Sequence, residues 1–222
     1  MKDFNFSNFV TADYNCSAID MGRKFIADHK LVRMVIDSHS GNGDGMTHLM
    51  MSLADELHST GVKVVTYSAE RLLRAAASGA DLLDQLQSID CLLLDDINFL
   101  FDKSTSVSAD IFNMLVARNS AGKKTICTVA IAASDIGSSI PKPYLGLLYS
   151  ATVCRLGTPT RADKFKIAMA KIKSLGISFD ARVEEMIEQV GNIRELEGKL
   201  TRYAALKNIQ RYALAEANSQ YD

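Results

Sequence analysis

Short, near-continuous apolar runs recur five times in the first 156 residues, at 33–37, 62–67, 91–96, 125–131 and Thr152–Leu156. Strands with one wet face alternate apolar and polar side chains, so runs of this kind are expected where a sheet is covered on both faces. Helical patterns lie between the runs. Met46–Ser59 is one, and 69–87 is another with a break near Ser78-Gly79. Residues 106–118 form a third, carrying Val107, Ile111, Met114 and Leu115 on one face. Strands alternating with helices imply parallel βαβ units, here a five-stranded parallel sheet sandwiched by helices in an α/β fold.

The pattern changes at Gly157-Thr158-Pro159, after which only helical periodicity remains. Thr160 is placed to cap a helix running to about Leu175, and Asp180 to cap a second bearing Val183, Met186, Ile187 and Val190. Gly191-Asn192 interrupts the chain before a third helix with Ile193, Leu196, Leu200, Tyr203 and Ala204 on one side. The chain therefore divides into an α/β core over 1–158 and a small three-helix domain over 159–222, within the size range of compact bundles.

Composition narrows the function classes. A net charge of -1 carries no global basic excess, so any nucleic-acid contact has to be a local patch. Met1-Lys2-Asp3-Phe4 is no signal segment, and no stretch reaches membrane-spanning length, so a cytoplasmic protein is expected. Cys16, Cys91, Cys127 and Cys154 are widely spaced without a Cys-x-x-Cys pair. They read as small buried hydrophobes in a reducing compartment.

Ser40-Gly41-Asn42-Gly43-Asp44-Gly45-Met46-Thr47 follows the first strand and opens a helix, the setting a P-loop requires. Gly41, Gly43 and Gly45 permit the turn, and backbone N–H groups at the helix start attract an anion. Two positions depart from G-x-x-x-x-G-K-[ST]: Ser40 replaces the first glycine and Met46 replaces the lysine. Met46 neither donates a hydrogen bond nor offsets phosphate charge, and a charge-assisted bond contributes about 1.5–3 kcal/mol. Asp44 adds a negative charge to the loop, while Thr47 remains as a magnesium contact. A plain glycine-rich strand-to-helix turn is the alternative.

About 45 residues further on, Cys91-Leu92-Leu93-Leu94-Asp95-Asp96 is an apolar strand ending in two carboxylates. This is the Walker B arrangement, in which one carboxylate holds magnesium and its neighbour polarises water. An ordinary acidic turn after a strand is again the alternative.

Three strings carry a family resemblance. They are Gly45-Met46-Thr47-His48-Leu49-Met50, Leu93-Leu94-Asp95-Asp96-Ile97-Asn98-Phe99-Leu100 and Asn192-Ile193-Arg194-Glu195-Leu196-Glu197-Gly198. Together with Phe4-Asn5-Phe6-Ser7-Asn8-Phe9-Val10, they resemble the DnaA family of AAA+ replication initiators and its shorter relative Hda. The first string matches the family's G-K-T-H-L-M except at Met46, and the third matches its sensor 2 motif N-I-R-E-L-E-G. The resemblance implies an AAA+ core with a helical lid. It implies ADP or ATP with magnesium as ligand, held by the three glycines, Thr47, His48, Asp95, Asp96 and Arg194, with Thr47 and Asp95 at the metal. For Asp95, Asp96 and Arg194 a second reading stands beside this one, in which they serve the fold.

The departures accumulate. Gly146-Leu147-Leu148-Tyr149-Ser150-Ala151 stands where the family carries its arginine finger and has no arginine. Val129-Ala130-Ile131-Ala132-Ala133 stands where it has S-S-D, so the polar sensor 1 residue is expected to be absent. The sequence stops at Asp222, so the family's helix-turn-helix DNA-binding domain is expected to be missing, and residues 1–6 do not match Hda's clamp-binding peptide. These features point to a protein without ATPase activity, working through an AAA+ partner such as DnaA or through self-association. A nucleotide-dependent switch or weak ATPase is the first alternative, and a DNA-binding module is the second. Arg161, Lys164, Lys166, Lys171 and Lys173 on one helix read as a solvated face rather than a phosphate-backbone contact. His48 is expected to pack at its helix start, and His29, His39 and His58 form no ligand spacing.

Overall fold

The computed structural model describes residues 4–79, 81–101, 105–132 and 134–219. The chain separates into two units, Met1–Thr158 and Pro159–Asp222.

In the first unit the strands are β1 (Arg33–Ser38), β2 (Val64–Ser68), β3 (Cys91–Asp95), β4 (Lys124–Ala132) and β5 (Thr152–Leu156). They form one parallel sheet in the order β2-β3-β4-β1-β5. Alternation on the strands feeds two cores, one on each face of the sheet. Val35, Leu92, Leu94, Cys127 and Val129 pack on one side with Leu72, Ile111 and Leu115. Met34, Ile36, Leu93, Ile126 and Cys154 pack on the other with Phe25, Leu49 and Leu53. Burial on both faces explains why these strands read as continuous apolar runs.

The helices of this unit are α1 (Cys16–Ala27), α2 (Met46–Ser59), α3 (Ala69–Ser78), α4 (Leu82–Ser88), α5 (Ser106–Ser120), α6 (Ile136–Ser139) and α7 (Lys142–Tyr149), with a 3₁₀ turn at Ile97–Leu100. The break expected near Ser78-Gly79 separates α3 from α4. Helix α1 was not legible in the sequence, because its buried stripe is Ala18, Ile19, Gly22 and Phe25, two of which carry almost no side chain. A Cβ at Gly22 would sit 2.9 Å from Leu53 Cδ1, so glycine lets α1 lie close against α2. The Lys124 ammonium donates to the Phe25, Asp28 and Leu31 carbonyls at 2.8–2.9 Å, capping the end of α1 from β4. Cys91, Cys127 and Cys154 are fully buried, whereas Cys16 is exposed at the start of α1, a correction to the reading of all four as buried. Burial pushes the three interior thiols up to about 12, so they are inert at neutral pH.

The second unit comprises α8 (Arg161–Leu175), α9 (Ala181–Gln189) and α10 (Ile193–Ser219). Thr160 and Asp163 form a capping box at α8, and Gly176 ends that helix in the left-handed region. Ala168, Ile172, Val183, Ile187, Leu196 and Leu200 close the bundle core. Much of the basic face of α8 is committed within this unit. Arg161 pairs with Glu184 and Glu188, Lys164 donates to the Val190 carbonyl at 2.7 Å, and Lys171 lies 4.0 Å from Glu197.

Candidate functional site at the glycine loop

The loop between β1 and α2 crosses the C-terminal end of the sheet. Its path demands glycine at Gly41, where φ is +77° and a Cβ would lie 2.4 Å from the Ala132 amide nitrogen of β4. Gly45 caps α2 at φ +100°. The Gly41 N–H donates to Ser38 Oγ at 2.9 Å, and the Tyr14 hydroxyl donates to the Asp44 carbonyl at 3.1 Å. The Ser40 hydroxyl donates to the Asp44 carboxylate, which reaches back across the loop, and Asp44 is fully buried. Met46 is 6% exposed and packs into the core between the sheet and α2. The position that would carry the phosphate-binding lysine is therefore apolar and turned inward.

Beyond the loop, Thr47 meets the acidic end of β3. Thr47 Oγ1 donates to the two Asp95 carboxylate oxygens at 3.0 and 3.1 Å. Thr128, on β4 between β3 and β1, donates to Asp95 Oδ1 at 2.6 Å and accepts from the Asp96 N–H at 2.8 Å. Asp96 adopts φ 55°, a left-handed conformation that turns the chain sharply off the strand. Asn98 in the following 3₁₀ turn accepts from the Ala130 N–H at 3.1 Å. The topology thus brings Gly41, Gly43, Gly45, Thr47, Asp95 and Asp96 to the ends of β1 and β3, with β4 between them.

His48 points elsewhere. Its ring lies 4.7 Å from both Phe4 and Phe9, and Nε2 is 2.8 Å from Asn8 Oδ1, so it fastens the amino-terminal segment to α2. Arg194 belongs to the second unit, where it is exposed in the first turn of α10 beside the Asn192 cap on the Glu195 N–H. Two sequence readings change. Thr128 went unnoticed, although a hydroxyl inside the run Ile126-Cys127-Thr128-Val129 was the available signal. Strand β4 also continues to Ala132, so Val129 to Ala132 of the segment expected to replace sensor 1 are strand, and Ala133 lies outside the described residues. Polar residues do follow the strand, with Ser134 Oγ donating to Asp135 Oδ1 at 2.9 Å.

The donor set splits when tested against a magnesium nucleotide. A hydroxyl and a carboxylate within 3.1 Å suit a divalent cation. The phosphate half does not fit: a buried carboxylate lies in the loop and no cation extends from the start of α2. On β5, Arg155 is already held by Asp37 through two bonds of 2.9 and 2.6 Å.

A parallel sheet with a glycine loop after β1 and carboxylates ending β3 defines a P-loop ATPase fold of the AAA+ class. The comparisons carry this further. The family model for the bacterial DnaA ATPase domain matches residues 1–136, and the chain belongs to that family. The chromosomal replication initiator DnaA of Gluconobacter oxydans is 31% identical over 176 residues, which cover 75% of this chain and 36% of that protein. The Wolbachia pipientis initiator is 26% identical over 98% of this chain and 50% of its own length. This chain thus spans about a third to a half of these curated relatives. Among solved structures, domain III of Thermotoga maritima DnaA superposes with a TM-score of 0.81 over 95% of this chain and 91% of that one. A DnaA initiator bound to AMPPCP and single-stranded DNA superposes at 0.78 over 96% and 69%. Both are 20% identical and establish the fold. Among the described residues no helix is long and apolar enough to cross a membrane.

Proposed function

We propose that this member of the DnaA ATPase-domain family acts in the cytoplasm without hydrolysing ATP, through contact with an AAA+ partner in replication initiation or its control. The partner is DnaA itself or a second copy of this chain. The observation that carries this reading is Met46, whose side chain is buried in the core where a phosphate-binding ATPase needs a cation. The segment 146–151 agrees with it. Leu147 and Leu148 face the core there, Ser150 accepts a bond of 2.8 Å from Arg33, and Tyr149 is 70% exposed, so an aromatic contact stands where the family places its finger. Exposed tyrosines are favoured anchors at protein interfaces. Purified protein assayed for ATP hydrolysis decides the first half, and a rate abolished by Asp95→Ala overturns it. Affinity capture of DnaA by wild type, weakened about tenfold or more by Tyr149→Ala, is the expected result for the second half. Equal capture by the variant removes Tyr149 from the interface.

The intact Thr47–Asp95 pair favours a second reading, in which the domain holds ADP or ATP with magnesium as a switch. Gly41, Gly43, Gly45, Thr47, Asp95 and Asp96 would supply the contacts. Ligand binding to the folded state raises the melting temperature. A thermal-shift titration that stays flat at millimolar nucleotide excludes the switch.

A further inference from the structure

Two residues of the glycine loop, Ser40 and Asp44, touch each other. Ser40, in place of the first loop glycine, donates its hydroxyl to the carboxylate of Asp44, the acidic residue within the loop. Asp44 is fully buried, and its own carbonyl is held by Tyr14. A carboxylate loses much hydration on burial and is kept in place only where polar groups replace the water. Ser40 supplies one such group, and α2, a fourteen-residue helix whose amino terminus carries partial positive charge, starts two residues beyond Asp44. A bound phosphate uses the same surroundings.

We infer that Asp44 is the built-in anion of this loop. Its carboxylate takes the place of a phosphate group, Ser40 donates to it, and the loop is thereby held closed without ligand. The inference deepens the non-hydrolysing reading above and rests on it, but it makes a separate claim. Loss of the lysine alone would leave a weak phosphate site, whereas an internal carboxylate closes the site to phosphate whatever residue stands at 46. Like charges in one desolvated pocket exclude each other. Ser40 and Asp44 then act as a pair, and reverting either one alone leaves the loop altered but does not rebuild a triphosphate site.

The test is rescue by inorganic phosphate, read by hydrogen exchange of the backbone amides of residues 41–47 in the full chain. In wild type, protection is present without ligand and unchanged by millimolar phosphate. In Asp44→Ala, protection falls and phosphate restores it. Asp44→Asn keeps an acceptor for Ser40 but no charge, so it is the second variant should alanine fail to fold, and there phosphate produces a smaller gain. Binding of magnesium ATP supplies an independent arm. Met46→Lys alone gains little, while Asp44→Gly with Met46→Lys binds about tenfold tighter or more than Met46→Lys, the scale of one charge-assisted hydrogen bond. Phosphate protecting wild type as well as the variants overturns the inference, as does equal binding by Met46→Lys and the double variant. Hydrolysis of ATP by wild type instead removes the reading it rests on, so the two failures are distinguishable.

Discussion

Asp95→Ala, measured without nucleotide or magnesium, separates a structural role for the β3 carboxylate from a purely ligand-directed one. Asp95 accepts from Thr128 at 2.6 Å and from Thr47 at 3.0 and 3.1 Å. Thr128 is fully buried and also receives the Asp96 N–H, so truncation at 95 strands a dry hydroxyl. A hydrogen bond to a charged group contributes about 1.5–3 kcal/mol, and the part-buried Thr47 hydroxyl, which water reaches in the variant, adds about 0.5–1. The expected loss is about 2–4 kcal/mol. At roughly 2–4 °C per kcal/mol for a unit of this size, the melting temperature falls by about 4–16 °C. Urea denaturation followed by circular dichroism measures the loss directly, at unchanged slope. Asp95→Asn retains one acceptor and falls about midway. Thr128→Val with Asp95→Ala forms a cycle whose coupling is about 1 kcal/mol or more. If Asp95→Ala is neutral or stabilising in the absence of ligand, these bonds do not support the fold and the structural role is refuted.

Arg118 is the largest fully buried side chain, donating to the Leu86, Ile89 and Lys124 carbonyls and to Thr125. Arg118→Ala leaves those carbonyls unpaired around a void and is expected to cost about 3–5 kcal/mol in the same assay, and a loss below about 1 would contradict it. Gly41→Ala forces a Cβ to 2.4 Å from a backbone nitrogen at positive φ, so it is expected to lower stability far more than alanine at Gly61, which has open space. Comparing their melting temperatures checks this. Hydrogen bonds from Lys207 and Tyr203 hold the Asp180 carboxyl down at about 2. Its folded value is depressed, so its contribution to the second unit is complete above the ordinary carboxylate range and disappears as pH falls through about 2. Lys207→Ala is expected to move acid unfolding of the second unit to higher pH, and an unchanged acid profile would remove the pair from that account.

Legibility followed the strength of the local signal. The five strands, the break at Gly79 and the caps at Thr160 and Asp180 were readable, because burial on both faces and side-chain capping leave marks on consecutive residues. Helix α1 was missed because its packing face depends on Gly22, whose value lies in the missing atoms that let Leu53 approach. Strand edges shifted by one or two residues, since pairing with a neighbour, rather than apolarity, sets where β4 ends. Cys16 did carry a mark, since it alone of the four cysteines lies outside the five apolar runs.

The order of the chain alone specified a phosphate-type loop without its lysine, an acidic strand end, a helical second unit and membership of a recognisable family. Those properties are local: they need only residue identity at fixed spacing. The tertiary structure decided what each residue does with its neighbours. It turned Met46 into the core, joined Ser40 to Asp44, placed Thr128 between Asp95 and Asp96, and committed His48 to Phe4, Asn8 and Phe9. Each pairing depends on strand order, loop path or rotamer, quantities that exist only once β4 lies between β1 and β3.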